Sequence, residues 1–168
     1  AMYLVTSTIN SNTVLDIIAK FTAKFPMVKH VQYDAISYSG LLDAADSATG
    51  KRAIPSYQFD KANTIVSIGA DFLGTWISPV EYAKLYSKGR KISKSNPTMS
   101  KHYQIEGNMS ISGGSADERV TCRPSEYGKV AVALLGAVNG TAPTFASKNL
   151  NTLINKAATD LKKGNGLV

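Results

Sequence analysis

The pattern of apolar residues is clearest in a short run near the middle of the chain. Residues 64–68 read Thr-Ile-Val-Ser-Ile, with β-branched side chains at four of five positions, and Gly69 ends the run. A run of this kind is typical of a strand buried in a parallel sheet. Ser78 and Pro79 then offer an N-cap and a first helical residue, and Glu81 is placed to complete a capping box. The segment therefore predicts a strand, a loop and a helix in succession.

Other segments repeat this alternation. Residues 2–6 and 28–33 are predicted strands, and residues 13–25 between them carry apolar residues at helical spacing. A strand, helix, strand succession of this length is a βαβ unit with a parallel sheet. Further patterns predict helices at 36–48, 79–88, 124–138 and 147–163, and a strand at 120–123. We therefore expect an α/β fold with three layers and a mainly parallel sheet.

Between residues 90 and 117 the apolar residues follow neither helical nor strand spacing. Turn-forming pairs occur at Asn96-Pro97, Gly107-Asn108 and Gly113-Gly114, and the short stretches 102–105 and 109–112 are either strands or ordered loop. A loop of this length is unusual in a compact domain and often has a function. We therefore expect the basic segment 91–114 to contact a partner and to exchange its amide hydrogens readily; strong protection would instead place it in the core.

The loop between the central strand and its helix has the layout of a nucleotide-binding loop. Gly69 and Gly74 stand at its two ends, where glycine lets backbone N–H groups face a ligand at the carboxyl end of the strand. The loop is poorly suited to bind a phosphate, because no lysine follows Gly74 and Asp71 places a negative charge where a phosphate would lie. Gly69, Ala70, Asp71 and Gly74 are therefore the candidate cofactor-binding residues of a vestigial loop that we expect to be empty. A tight turn that needs glycine explains the same residues without a ligand.

No constellation in the sequence favours catalysis, and we expect no catalytic residue. The acidic pairs Asp43/Asp46 and Asp117/Glu118 lie in predicted surface or turn segments, with no histidine or lysine relay implied by their spacing. The Gly-x-Ser-x-Gly pattern of an activated serine is absent. Trp76, the single tryptophan, either stacks on a ligand ring or anchors the loop as a hydrophobic side chain.

Composition adds a positive charge and argues against a metal. The 168 residues include 19 lysines and arginines against 12 acidic residues, a net charge of +7. A basic face suits nucleic acid, an anionic surface or an acidic partner, but a solvated surface is the simplest interpretation, and no RNA-binding strand pattern occurs. We therefore expect no nucleic-acid partner. Cys122, His30 and His102 are too few and too scattered for a metal site, and Cys122 is expected to be a small core residue.

The termini carry no targeting signal that the sequence reveals. No apolar run approaches the ~18 residues that a membrane span needs, and no signal peptide is visible. Ala1 is typical of a residue left by tag removal, and we expect the chain to be one domain, residues 1–168, of a longer protein.

Several motifs resemble the molybdopterin oxidoreductases. The strand that ends in Gly69-Ala70-Asp71 resembles the family's strand ending in Gly-Ala-Asn-Pro. Residues 116–120 and 123–126 resemble its Ala-Asp-x-x-Leu and Arg-Pro-Gly-Thr-Asp stretch, which precedes a helix rich in alanine and leucine. The resemblance implies a Rossmann-like, three-layer αβα domain.

One branch of that family resembles nearly the whole chain. Residues 38–42, 54–57, 69–79 and 99–103 look like the iron–sulfur subunit of alternative complex III, a bacterial quinol:electron-acceptor oxidoreductase. The run 69–79 is the most specific part. The resemblance implies a location on the periplasmic side of the inner membrane and other subunits of a membrane respiratory complex as partners. It also implies that iron–sulfur clusters lie elsewhere in the parent subunit, with no cofactor in this chain.

The chain departs from the family where active enzymes hold the guanine nucleotide of the cofactor. The family's Asn-Pro after Gly-Ala is Asp71-Phe72 here, and its Asp-Pro-Arg after the next strand is replaced by the basic stretch 95–114. These departures imply a scaffold domain that keeps the fold, holds no cofactor and is not itself an enzyme within an oxidoreductase complex. The alternative is an active domain that binds molybdopterin guanine dinucleotide or another nucleotide. A nucleic-acid-binding module is a third class, which rests on charge alone.

Overall fold

A computed structural model describes residues 2–94 and 97–168 of the chain. Contacts divide the chain into two compact units, Ala1–Pro55 and Ser56–Val168. Both units alternate strands and helices, and their sheets are parallel, so the predicted α/β class is confirmed. The prediction of one domain over residues 1–168 stays a prediction. Ala1 and the predicted turn residue Asn96 lie outside the described residues.

The first unit is a βαβ unit followed by one further helix. Its elements are β1 (Met2–Thr6), α1 (Asn12–Lys24), β2 (Val28–Gln32) and α2 (Ser39–Thr49). The two strands pair in parallel, as the sequence predicts. The hydroxyl of Ser11 accepts a hydrogen bond from the N–H of Val14 and so caps α1. Among the described residues of this unit only Val28 is buried.

The second unit is a four-stranded parallel sheet with helices on both faces. Its elements are β3 (Thr64–Ile68), α3 (Pro79–Arg90), β4 (Lys101–Glu106), α4 (Ile111–Ser115), β5 (Glu118–Thr121), α5 (Tyr127–Val138), α6 (Lys148–Leu161) and β6 (Gly166–Leu167). The strands lie in the order β5, β4, β3, β6. This is the order of the first four strands of a Rossmann fold, in which the chain steps outward from the first strand and then returns to its other side.

Each face of this sheet has its own apolar core. On one face, Val66 and Tyr103 pack in a cluster with buried side chains of α5 and α6. On the opposite face, Ile65 lies in a cluster with Tyr82 and Tyr86 of α3. Helices therefore cover both faces, and the predicted three-layer αβα arrangement is confirmed for this unit.

The structure corrects the interpretation of residues 90–117. β4 lies between β3 and β5, and five of its six residues are buried, so this part of the segment belongs to the core. The partner contact expected of segment 91–114 stays a prediction. The stretch 109–112 is not a strand, because α4 begins at Ile111. The apolar pattern concealed β4 because three of its buried side chains are polar, those of His102, Gln104 and Glu106. They bond to one another instead of facing water.

Two helix ends also differ from prediction. Pro79 does open α3, but the side chain of Ser78 makes no capping hydrogen bond, so the predicted capping box is wrong. α3 continues to Arg90, two residues beyond the predicted end at residue 88. The short strand β6 was not predicted, because two residues carry no periodic pattern.

Candidate functional site

The loop after β3 lies where parallel α/β sheets bind ligands. The strand order reverses between β3 and β6, and ligands of such sheets occupy the crevice outside the carboxyl ends of the strands at that point. All four residues predicted for this site lie in the loop, namely Gly69, Ala70, Asp71 and Gly74. Whether the loop binds an anion then depends on which of its hydrogen-bond donors are available.

Gly69 turns the chain away from β3 in a conformation that favours glycine. Its φ is 70°, and a Cβ at this position would collide with the ring of Tyr127 on α5. Its N–H donates to the carbonyl of Ile105 at 2.8 Å. The Tyr127 hydroxyl oxygen accepts from the N–H of Gly107 at 2.8 Å, so the ring is held against the turn. Gly69 therefore has a structural role that needs no ligand.

The carboxylate of Asp71 is bound within the protein. Its Oδ1 accepts from the N–H of Ser112 at 3.0 Å and from the Ser112 hydroxyl at 2.9 Å. Its Oδ2 accepts from the Thr75 hydroxyl at 3.4 Å. A Cβ at Gly74 would collide with this carboxylate. Asp71 therefore joins the loop to α4, and glycine at position 74 leaves room for it.

Four further backbone N–H groups, in the second half of the loop and just beyond it, are bound to protein acceptors as well. The carbonyl oxygen of Asp71 accepts at 3.1, 2.9 and 2.9 Å from three N–H groups, those of Gly74, Thr75 and Trp76. The N–H of Leu73 donates to the Ser112 hydroxyl at 2.9 Å. In a phosphate-binding loop these groups would face the ligand. Here they close the loop on itself and on α4.

An apolar cavity lies beside the loop. It has a volume of about 180 Å³, and β3, Leu167 and the rings of Tyr57, Phe59 and Trp76 line it. No charged side chain is among its lining residues. Trp76 packs on Tyr57 with ring centroids 5.0 Å apart, which fits its predicted role as a hydrophobic anchor. It also lines the cavity, and stacking on a ligand ring stays a prediction.

A buried polar row on β4 is the feature that sequence reasoning missed. His102 Nε2 lies 3.1 Å from Gln104 Oε1, and Gln104 Nε2 donates to Glu106 Oε2 at 3.1 Å. Burial opposes the charge on Glu106, but hydrogen bonds from Arg119 and Ser110 outweigh it and lower its pKa. Alternating polar residues in a strand signal one solvated face, so the sequence pattern gave no sign of burial.

Other residues considered in the sequence have ordinary structural roles. Cys122 is buried, as predicted, and burial raises the pKa of its thiol. Within residues 2–94 and 97–168, no group of three His, Cys, Asp or Glu side chains is arranged to hold a metal ion. Three of the carboxylates considered for catalysis form ion pairs, namely Asp43 with Arg52, Asp117 with Arg90 and Glu118 with Lys156.

Comparison of the sequence with protein-family models and with curated proteins finds no match. The resemblance to molybdopterin oxidoreductases therefore rests on the sequence motifs alone and supports proposals only. In the part of the chain that the structure describes, no helix is both long and apolar enough to span a membrane.

Proposed function

We propose that the chain is a non-catalytic scaffold domain that has kept a nucleotide-binding architecture without its ligand. By resemblance, it belongs to the iron–sulfur, molybdopterin-oxidoreductase-like subunit of a bacterial respiratory quinol:electron-acceptor oxidoreductase. Its partners are then other subunits of that membrane complex on the periplasmic side of the inner membrane. Electron transfer takes place at clusters held outside this chain.

One observation carries this proposal, the double hydrogen bond from Ser112 to Asp71 at 3.0 and 2.9 Å. These bonds use a backbone N–H and a hydroxyl, which are donors of the kind that a phosphate would accept. A ligand phosphate would meet the negative charge of Asp71 and would also have to displace the bonds to Gly74, Thr75 and Trp76. The hydrogen bonds of the loop therefore serve to connect the end of β3 to α4.

A second candidate function is binding of molybdopterin guanine dinucleotide or another nucleotide. The cavity of about 180 Å³ at the reversal of strand order favours it, because its aromatic walls suit a planar base. In this case the base would enter the cavity, and the phosphates would lie outside the loop rather than within it.

Calorimetric titration with GDP distinguishes the two candidates. The scaffold proposal predicts no saturable binding to the wild-type chain. Asp71→Asn, which removes the negative charge but keeps an oxygen acceptor for Ser112, is the informative variant, and weak GDP binding by it alone would identify Asp71 as the blocking group. Micromolar binding by the wild-type chain would contradict the scaffold proposal and favour the second candidate.

The proposed partners need a separate experiment. The protein that contains this chain is purified from membranes of its source under mild detergent, and the co-purifying subunits are identified by mass spectrometry. We expect iron–sulfur and quinol-oxidising membrane subunits in fixed ratio. Purification of the protein alone, with quinol oxidation retained in membranes that lack it, would contradict the assignment.

A further inference from the structure

The hydrogen positions in the buried row on β4 follow from its neighbours. Gln104 Nε2 faces two acceptors, Glu106 Oε2 at 3.1 Å and the carbonyl of Ala70 at 3.4 Å. The amide group of Gln104 therefore points its nitrogen at these acceptors and its oxygen at His102. An oxygen at 3.1 Å requires a donor, so His102 carries hydrogen on Nε2.

The second ring nitrogen of His102 competes for a single hydrogen. Nδ1 lies 3.1 Å from the hydroxyl oxygen of Tyr86, which also lies 3.1 Å from the carbonyl of Ser115. When His102 is neutral, the one hydroxyl hydrogen of Tyr86 serves only one of these two acceptors. His102 has no solvent exposure, whereas Ser115 is an exposed residue at the end of α4. The hydrogen therefore goes to Nδ1, since an unpaired acceptor costs more in the core.

We propose that Tyr86 and His102 form a proton-dependent latch that joins α3 to the end of α4. In the neutral state, His102 is the Nε2–H tautomer and the Tyr86 hydroxyl donates to its Nδ1. When a proton from solvent binds Nδ1, the contact reverses, and Nδ1–H donates to the Tyr86 oxygen. The Tyr86 hydroxyl then turns to the carbonyl of Ser115. The protonated state thus gains a bond from α3 to α4 with no heavy atom displaced, and this property is independent of the function proposed above.

Charged and titratable groups face His102 from each element around it. Tyr86 and Arg90 approach from α3, Asp117 from the segment before β5, and Glu106 from β4 itself. Burial and Arg90 oppose a second proton on the ring, whereas Asp117 and Glu106 favour it. Burial is the largest of these effects and lowers the pKa of His102 to about 4. The latch therefore changes state in acid and holds its neutral form at pH 7.

Nuclear magnetic resonance of the chain with ¹⁵N-labelled histidine tests the tautomer. We expect the Nε2–H pattern for His102 at pH 7. Gln104→Leu removes the acceptor for Nε2–H, so this variant should change to the Nδ1–H tautomer with Tyr86 as acceptor. Gln58→Leu, at an exposed glutamine, is the matched control and should leave the His102 signals unchanged. An Nδ1–H tautomer in the wild type, or an unchanged tautomer in Gln104→Leu, would overturn the proposal.

A second variant keeps the proposal testable if Gln104→Leu does not fold. In Tyr86→Phe the neutral ring loses a donor to Nδ1 and the protonated ring loses an acceptor for Nδ1–H. Because the hydrogen bond of the charged ring is the stronger of the two, the titration midpoint of His102 should fall by roughly one pH unit. In the wild type, the ¹³C signal of the Ser115 carbonyl should move with the same midpoint as His102, and in Tyr86→Phe this movement should disappear. A Ser115 signal that does not follow His102 in the wild type would show that no latch exists.

Discussion

Arg90 holds Asp117 with two parallel hydrogen bonds, each 2.8 Å long, across the second unit. Asp117 also accepts from the backbone N–H of His102 at 2.7 Å, and Arg90 donates to the carbonyl of Ser100 at 2.7 Å. This pair therefore fastens the end of α3 to the beginning of β4 and to the segment before β5. The Arg90 hydrogen bond is also the main reason that the pKa of Asp117 is lowered.

The Arg90–Asp117 pair should contribute measurably to stability. Its side chains are 18% and 24% exposed, so Arg90→Ala should lower the free energy of unfolding by about 1–2 kcal/mol, because the partly buried carboxylate of Asp117 loses two charged hydrogen bonds. The exposed pair between Lys20 and Asp16 is the comparison, and Lys20→Ala should cost less than about 0.5 kcal/mol. Urea unfolding measures both variants. Similar losses would mean that burial of the Arg90 pair adds nothing.

The stability of the protein should fall as the solution becomes acidic. His102 has a pKa of about 4 in the folded chain against the ordinary 6.5, so the unfolded chain binds a proton first. Stability should therefore decrease as the pH falls from about 6.5 to about 4, by roughly 3 kcal/mol for this group. Urea unfolding at a series of pH values measures the loss, and His102→Gln should remove most of it. The lowered pKa of Asp117 and of Glu106 adds a further loss at lower pH.

Alanine should be tolerated at one glycine and rejected at another. Gly69→Ala should lower stability by about 2 kcal/mol or more, since the φ of 70° disfavours alanine and the new Cβ would meet the Tyr127 ring. Gly128 on α5 has no atom within 4 Å of an added Cβ, so Gly128→Ala should raise stability by about 0.5–1 kcal/mol. Thermal unfolding compares the two. A neutral Gly69→Ala would show that the turn relaxes easily.

Removal of the Asp71 carboxylate should loosen α4. Asp71→Ala leaves the N–H and hydroxyl of Ser112 without their acceptor, and we expect a loss of about 1–2 kcal/mol with faster amide exchange at Ser112. Asp71→Asn keeps an oxygen at the same place and should lose less than half as much. Equal effects of the two variants would show that the charge of Asp71, rather than its hydrogen bonds, stabilises α4.

The parts of the fold that could be predicted are those with local signals. β3 was predicted with its observed bounds because its side chains are apolar and mostly β-branched, and the buried faces of α5 and α6 follow helical spacing. β4 was not resolved because its row of His102, Gln104 and Glu106 imitates a solvated face. The sequence predicted that the loop is poorly suited to bind a phosphate. It did not reveal the hydrogen bond between Asp71 and Ser112, because Ser112 lies 41 positions further along the chain. No local pattern reveals a contact between residues so distant in sequence.

The pairing of β3 with β6 has a consequence for the order of folding. Thr64 lies opposite Gly166, so the first and last strands of the second unit are neighbours, with every other element of its sheet between them in sequence. A pairing between such distant segments requires a large loop to close, and its entropic cost is met only after the intervening helices have packed. We infer that β6 joins last, and that the crevice beside β3 acquires its second wall in the final step of folding.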